Sequence, residues 1–88
     1  MEIYLIRHTI TAIPKGVCYG QSDVALGDDF QERAGEIHHF LSSVPGMVFY
    51  SSPLQRCSLL AERLTPEAPL LDERLKELDF GQWELQKW

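Results

Sequence analysis

Met47-Val48-Phe49-Tyr50-Ser51-Ser52-Pro53-Leu54-Gln55-Arg56 passes from an apolar run, through a polar turn, into a helix start. The run is apolar at consecutive positions, the pattern of a strand covered on both faces, as in a parallel sheet between helical layers. Ser52 followed by Pro53 is an N-cap residue with proline at the first helical position. The helix that follows sets Leu54, Cys57, Ala61 and Leu64 on one face, and Thr65-Pro66 ends it. Upstream, Ser42-Ser43-Val44-Pro45-Gly46 separates the strand from an earlier helix that opens at Asp28 or Asp29. There Asp29 and Glu32 have capping-box spacing, and Phe30, Ala34, Ile37 and Leu41 form one apolar stripe. Residues 9–27 hold Pro14, Gly16, Gly20 and Gly27 with no helical period and read as a long loop. Loops of that length in compact domains are often functional.

Glu2-Ile3-Tyr4-Leu5-Ile6 reads as a first buried strand, stopped by Arg7-His8, and Pro69-Leu70-Leu71 as a weaker third one. The order strand, loop, helix, strand, helix, strand implies right-handed parallel crossovers. The expected fold is a three-layer α/β/α sandwich with a mostly parallel sheet, residues 1–88 forming part of a single domain without repeat, linker or low-complexity tract. Three strands with only two helices leave sheet faces and edges uncovered, so the fold is expected to be incomplete and prone to self-association.

The 88 residues carry a formal charge of −5, eight Lys+Arg against thirteen Asp+Glu, with the basic residues scattered. That balance disfavours nucleic acid as a partner. No apolar run approaches the roughly 18 residues of a membrane span, and the N-terminus lacks the basic-then-apolar pattern of a signal peptide. Cys18 and Cys57 are expected to be free thiols of a cytoplasmic protein.

Ligands of open α/β sheets bind beyond the carboxyl ends of the strands. Arg7-His8 follows the first strand; Ser51-Ser52-Pro53 follows the second, with Arg56 in the next helical turn. Parallel strands would bring two arginines, a histidine and a helix N-terminus to one edge. Guanidinium groups bind phosphoryl oxygens through paired charge-assisted hydrogen bonds, and a helix start offers free N–H groups. A neutral imidazole can attack phosphorus when its other nitrogen is held by an acceptor. The leaving oxygen needs a proton from a carboxylic acid, for which Glu73, Glu77 and Glu84 are candidates. Each feature taken singly also reads as ordinary: a solvated strand end, a first-turn arginine, surface glutamates. His38-His39 read as packing or surface residues, and the cysteines and histidines show no zinc spacing. The residues alone give an α/β domain with a phosphate site.

Three stretches carry a resemblance. Leu5-Ile6-Arg7-His8-Thr9-Ile10-Thr11 resembles the Arg-His signature of the histidine phosphatase superfamily, which includes the phosphoglycerate mutases. Tyr50-Ser51-Ser52-Pro53-Leu54-Gln55-Arg56-Cys57 is similar to its Ser-Ser-Pro-Leu-x-Arg signature. Leu75-Lys76-Glu77-Leu78-Asp79-Phe80-Gly81-Gln82-Trp83-Glu84 is similar to its Leu-x-Glu-x-x-Phe-Gly-x-Trp-Glu signature. Within the superfamily, Gly16-Val17-Cys18-Tyr19-Gly20-Gln21-Ser22-Asp23 most resembles the α-ribazole-5′-phosphate phosphatases of cobalamin biosynthesis. The resemblance implies a phosphomonoesterase working through a phosphohistidine intermediate, without metal or cofactor, on a small-molecule phosphate ester. His8 would be the nucleophile, Arg7 and Arg56 the phosphate ligands, and Glu77 the acid that protonates the leaving oxygen and then activates water.

The sequence departs from that pattern at Thr9, where the family usually has Gly, at Pro14, where many members have Asn, and at Leu85, again usually Gly. The family's second active-site histidine, late in the chain in a His-Gly context, has no counterpart, because only His8, His38 and His39 are present. Losing one such donor to a transition state costs on the order of 10²–10³ in rate, so the 88 residues alone are expected to turn over little. A phosphoglycerate-mutase-type phosphotransferase shares the same front half of the site. A non-catalytic phosphate-binding domain is the reading from a different class.

Overall fold

Helix α1, Phe30–Leu41, and helix α2, Gln55–Leu64, pack against each other, α1 through the stripe its spacing predicts and α2 through Leu64 of its expected stripe together with Leu60, which lies outside it. Ala34, Leu41, Leu60 and Leu64 form the buried centre, with Phe30, Ile37, Met47 and Phe49 packed around it. This computed structural model describes residues 1–88. Two entries into helices differ from the sequence expectation. Asp29 makes no side-chain cap to α1; its carboxylate instead accepts from Arg33 Nε at 3.4 Å, one turn on. Helix α2 begins at Gln55, with Leu54 extended as its N-cap residue. Ser52 Oγ accepts from Leu54 N at 3.2 Å, so the serine shapes the approach rather than the first turn.

Strands β1, Tyr50–Ser51, and β2, Leu70–Leu71, pair in parallel, Tyr50 opposite Leu70 and Ser51 opposite Leu71. The ladder is extended by Leu70 N donating to Phe49 O and Asp72 N to Ser51 O, both at 2.9 Å. The intervening helix makes this the expected strand–helix–strand crossover. Met47 and Phe49 turn towards the helices, whereas Val48 and Tyr50 are about two-thirds exposed at 67% and 64%. Along residues 47–50 one face is covered and the other is bare, while Leu70 and Leu71 of β2 are both more than half exposed.

The first expected strand does not form. No backbone hydrogen bond engages residues 1–9, and Ile3, Leu5 and Ile6 are exposed. A cavity of about 1010 Å³ separates this segment from residues 44–52, floored by Cys57, Leu60 and Ala61 of α2. Ladder bonds need strands about 4.8 Å apart, and a strand apolar on both faces needs cover from two layers. Here helices cover one face only, so strand-forming composition has no partner to act on.

The loop of residues 9–27 is ordered by bonds of its own. Its base closes through the Thr11–Leu26 antiparallel bridge, Ala12 N to Ala25 O and Gly27 N to Ile10 O, both 2.9 Å. Its middle is zipped to the C-terminal tail by the Val17–Lys87 bridge. Cys18 N donates to Gln86 O and Leu85 N to Cys18 O, each at 2.7 Å, and Trp88 N to Gly16 O at 2.8 Å. The tail folds over through two single-turn 3₁₀ helices, Glu73–Leu75 and Gly81–Trp83. Phe80, Trp83 and Trp88 lock it by edge-to-face contacts at 5.9 and 6.5 Å. Leu85 adopts φ +63°, the left-handed region that favours glycine.

Candidate functional site

Tyr19 is a neighbour of both His8 and Arg56. The Tyr19 ring is 6.4 Å from the His8 ring and 5.0 Å from the Arg56 guanidinium carbon. His8 is half-buried and lines the cavity with Ser51, Ser52 and Cys57. Its Nδ1 sits 2.8 Å from Thr9 O. A carbonyl oxygen only accepts, so that contact assigns the proton to Nδ1 and leaves the Nε2 lone pair free. A nucleophilic imidazole needs this tautomer.

Arg56 is 2% exposed. Nη1 donates to Ser22 O at 2.8 Å and Nη2 to Gly20 O. Its Nε–H is buried with no partner, and Arg56 takes part in none of the ion pairs of the structure. A buried guanidinium held by carbonyls and a tyrosine face, with no carboxylate beside it, is a cation without its anion. Charges buried in this way cost several kcal/mol unless paired.

The remaining predicted groups are placed unequally. Arg7 is exposed and forms no ion pair. The N-terminus of α2 is not free either. Asp23 Oδ1 accepts from Gln55 N at 2.7 Å, and Gln55 Nε2 donates to Asp23 O at 2.9 Å. The helix start is capped across the chain by a carboxylate, because a loop aspartate at a dipole end stabilises both. Of the three glutamates, Glu73 pairs with Lys76 at 2.7 Å on the surface. Glu84 is fully engaged: it accepts from Gly20 N, Ser22 N and Phe80 N at 3.0 Å each and from Ser22 Oγ at 2.6 Å. The Ser22 hydroxyl and those amides hold its carboxyl down to about 2, a state that does not hand out protons. Glu77 is exposed, with Oε1 accepting only from the neighbouring Leu78 N at 2.8 Å. It is the carboxylate left to move.

Two thiols border the site. Cys18 is 1% exposed and packs inside the loop, where burial pushes its pKa up. Cys57 is free and half-buried on the cavity floor. Burial raises its pKa most, Arg56 and Ser52 pull it down, and Asp23 and Glu77 push it up. Both carboxylates are therefore felt where α2 meets the cavity. His38 and His39 are exposed on α1 and stand apart. No group of His, Cys, Asp and Glu side chains has the arrangement of a metal site. The sequence reading singled out residues 16–23 as a stretch but did not foresee Tyr19 as a neighbour of both His8 and Arg56, or Ser22 and Asp23 as structural partners.

Comparison with known proteins gives the same direction. The family model described as histidine phosphatase superfamily (branch 1) matches residues 3–88. None of the curated protein sequences matches closely enough to count as a relative. Among solved structures, a mycobacterial glucosyl-3-phosphoglycerate phosphatase superposes with a TM-score of 0.81 at 25% identity, over 91% of this chain and 39% of its own. The Bacillus stearothermophilus protein YhfR gives 0.82 at 27%, over 92% and 42%. An Escherichia coli protein provisionally described as an α-ribazole-5′-P phosphatase gives 0.81 at 26%, over 93% and 43%. The chain thus spans about two-fifths of the length of the structures it matches.

Proposed function

The chain belongs to the histidine phosphatase superfamily, and on that premise we propose that it carries the front half of a phosphomonoesterase site in which His8 accepts the phosphoryl group. The observation that supports this most is Arg56: a buried cation with an orphaned N–H and no counter-charge, sharing Tyr19 as a neighbour with His8. A phosphoryl group supplies the missing anion, and the guanidinium stabilises charge spread over its oxygens.

In the first step Nε2 of His8 bonds to phosphorus as the bond to the ester oxygen breaks. Glu77, protonated, gives its proton to that oxygen, and the alcohol leaves. In the second step water attacks phosphorus, its proton goes to the Glu77 carboxylate, the phosphorus–nitrogen bond breaks and orthophosphate departs. Arg7 adds a second guanidinium once a ligand draws it in. The substrate we propose is α-ribazole 5′-phosphate, for which the loop of residues 16–23 and the likeness to the E. coli protein are the grounds.

The test is to incubate the protein with p-nitrophenyl phosphate, quench in base and map phosphate by peptide mass. Phosphate on the His8 peptide, lost in His8→Ala and reduced in Arg56→Ala, is the expected result. Phosphate absent from wild type, or unchanged in His8→Ala, would contradict the nucleophile assignment. Substrate is tested by kcat/KM on the full parent protein, α-ribazole 5′-phosphate against glucosyl-3-phosphoglycerate; preference for the latter overturns the ribazole assignment.

A further inference from the structure

Glu84 and Arg56 carry opposite charges but never touch. Between them lies the turn of residues 20–22, whose peptide groups face both ways. On one side Gly20 N, Ser22 N and Ser22 Oγ donate to Glu84. On the other, Gly20 O and Ser22 O accept from Nη2 and Nη1 of Arg56. The same two residues thus present N–H groups to the anion and C=O groups to the cation, and hydrogen bonds in series polarise one another. We infer that Glu84 is the positioning residue for Arg56: by clamping the turn of residues 20–22 it fixes the guanidinium through Nη1 and Nη2 and leaves its Nε–H without a protein partner. The inference rests on the phosphoryl-site reading of Arg56 and extends it to a residue in contact with neither phosphate nor nucleophile.

Two further features fit. A Cβ at Gly20 would lie 1.8 Å from Leu78 O, 2.7 Å from the Phe80 ring and 2.9 Å from Glu84 Oε2. Only glycine lets the turn come this close to the segment bearing Glu84. And the Glu84 carboxylate gathers four donors while lying only partly buried, more than a surface glutamate collects by chance. Its charge sustains the polarised turn.

The experiment compares wild type, Glu84→Gln and Ser22→Ala by two readouts: the Arg56 Nε–H resonance in the ligand-free protein, and the dissociation constant for inorganic phosphate. Circular dichroism checks that each variant stays folded. Glu84→Gln keeps the shape but removes the charge and turns an amide N–H₂ towards donors. It is expected to shift and broaden the Arg56 signal and to weaken phosphate binding by about tenfold, the size of one charge-assisted hydrogen bond. Ser22→Ala removes one donor of four and should move both readouts in the same direction by less. If either variant, folded, leaves the Arg56 resonance in place and phosphate affinity within twofold, the inference is wrong. Should wild type bind no phosphate while Glu84→Gln still displaces the Arg56 signal, the phosphoryl-site reading fails and the coupling of Glu84 to Arg56 stands.

Discussion

Residues 2–6 and residues 16–23 make opposite bargains with the backbone. The first segment has the composition of a buried strand, yet no backbone hydrogen bond reaches it and Leu5 is 94% exposed. The second has no regular secondary structure over most of its length, yet its amides and carbonyls are closed by the tail, by Glu84 and by Arg56. A strand supplies half of a ladder and depends on a neighbour for the rest. A turn with short polar side chains around it can satisfy its peptides locally. The site is built where the second arrangement prevails, and His8 stands at the junction of the two.

The sharpest way to break this contrast is at Gly20. Gly20→Ala pushes a methyl against the Leu78 carbonyl at 1.8 Å, so the backbone of the turn or of the tail must shift. We expect a loss of about 2–3 kcal/mol in urea unfolding followed by Trp83 and Trp88 fluorescence. A loss below about 1 kcal/mol would mean the turn is not held against the tail.

Next comes acid. The Glu84 carboxyl lies near 2 in the folded chain against an ordinary value of 4.5. Its contribution to stability is therefore complete above about pH 4.5 and is lost as pH falls towards 2. Amide protection at Gly20 and Ser22 should fall over that window and should lose its pH dependence in Glu84→Gln. Asp72, also held down to about 2 by Arg74, titrates over an overlapping range, so Asp72→Asn is the control that must leave Gly20 and Ser22 responsive.

Leu85 offers a smaller and opposite effect. Its φ of +63° strains a residue with a Cβ, and its side chain is half exposed. Leu85→Gly relieves roughly 1 kcal/mol of backbone strain and gives back part of it in chain entropy and lost contact. A net gain of about 0.5 kcal/mol in the same urea experiment is expected; destabilisation would show that the leucine packs more than its exposure implies. The smallest effect belongs to the apolar segment itself. Leu5→Ser should change stability by less than about 0.5 kcal/mol, whereas a residue in a paired central strand would cost several times more.

What could be read from the sequence follows the same division. The two helices, the α1 stripe and the β1–β2 pairing were legible because period and punctuation are local signals; on α2, Leu54, Ala61 and Leu64 are buried as the spacing requires, whereas the core residue Leu60 lies outside the stripe it marks. The strand at residues 2–6 was not, because composition records what a segment is suited to, not whether a partner stands beside it. Arg56 was legible as a first-turn group, and His8 through the strand expected before it, which does not form; both have Tyr19 as a neighbour. Among the glutamates, spacing could not separate Glu77 from Glu84; hydrogen-bond accounting does, because one carboxylate has four donors and the other has only Leu78 N. Asp23 at the start of α2 is a contact between residues 32 positions apart, which no local pattern encodes.

Native-state hydrogen exchange of the intact chain, resolved by residue, tests the central contrast most directly. The account predicts slow exchange at Cys18, Gly20 and Ser22, comparable with the amides inside α2, and exchange near the free-chain rate at Ile3, Tyr4, Leu5 and Ile6. Protection at residues 3–6 with rapid exchange at Gly20 and Ser22 would contradict it, and would move the ordered half of the site from the polar turn to the apolar strand.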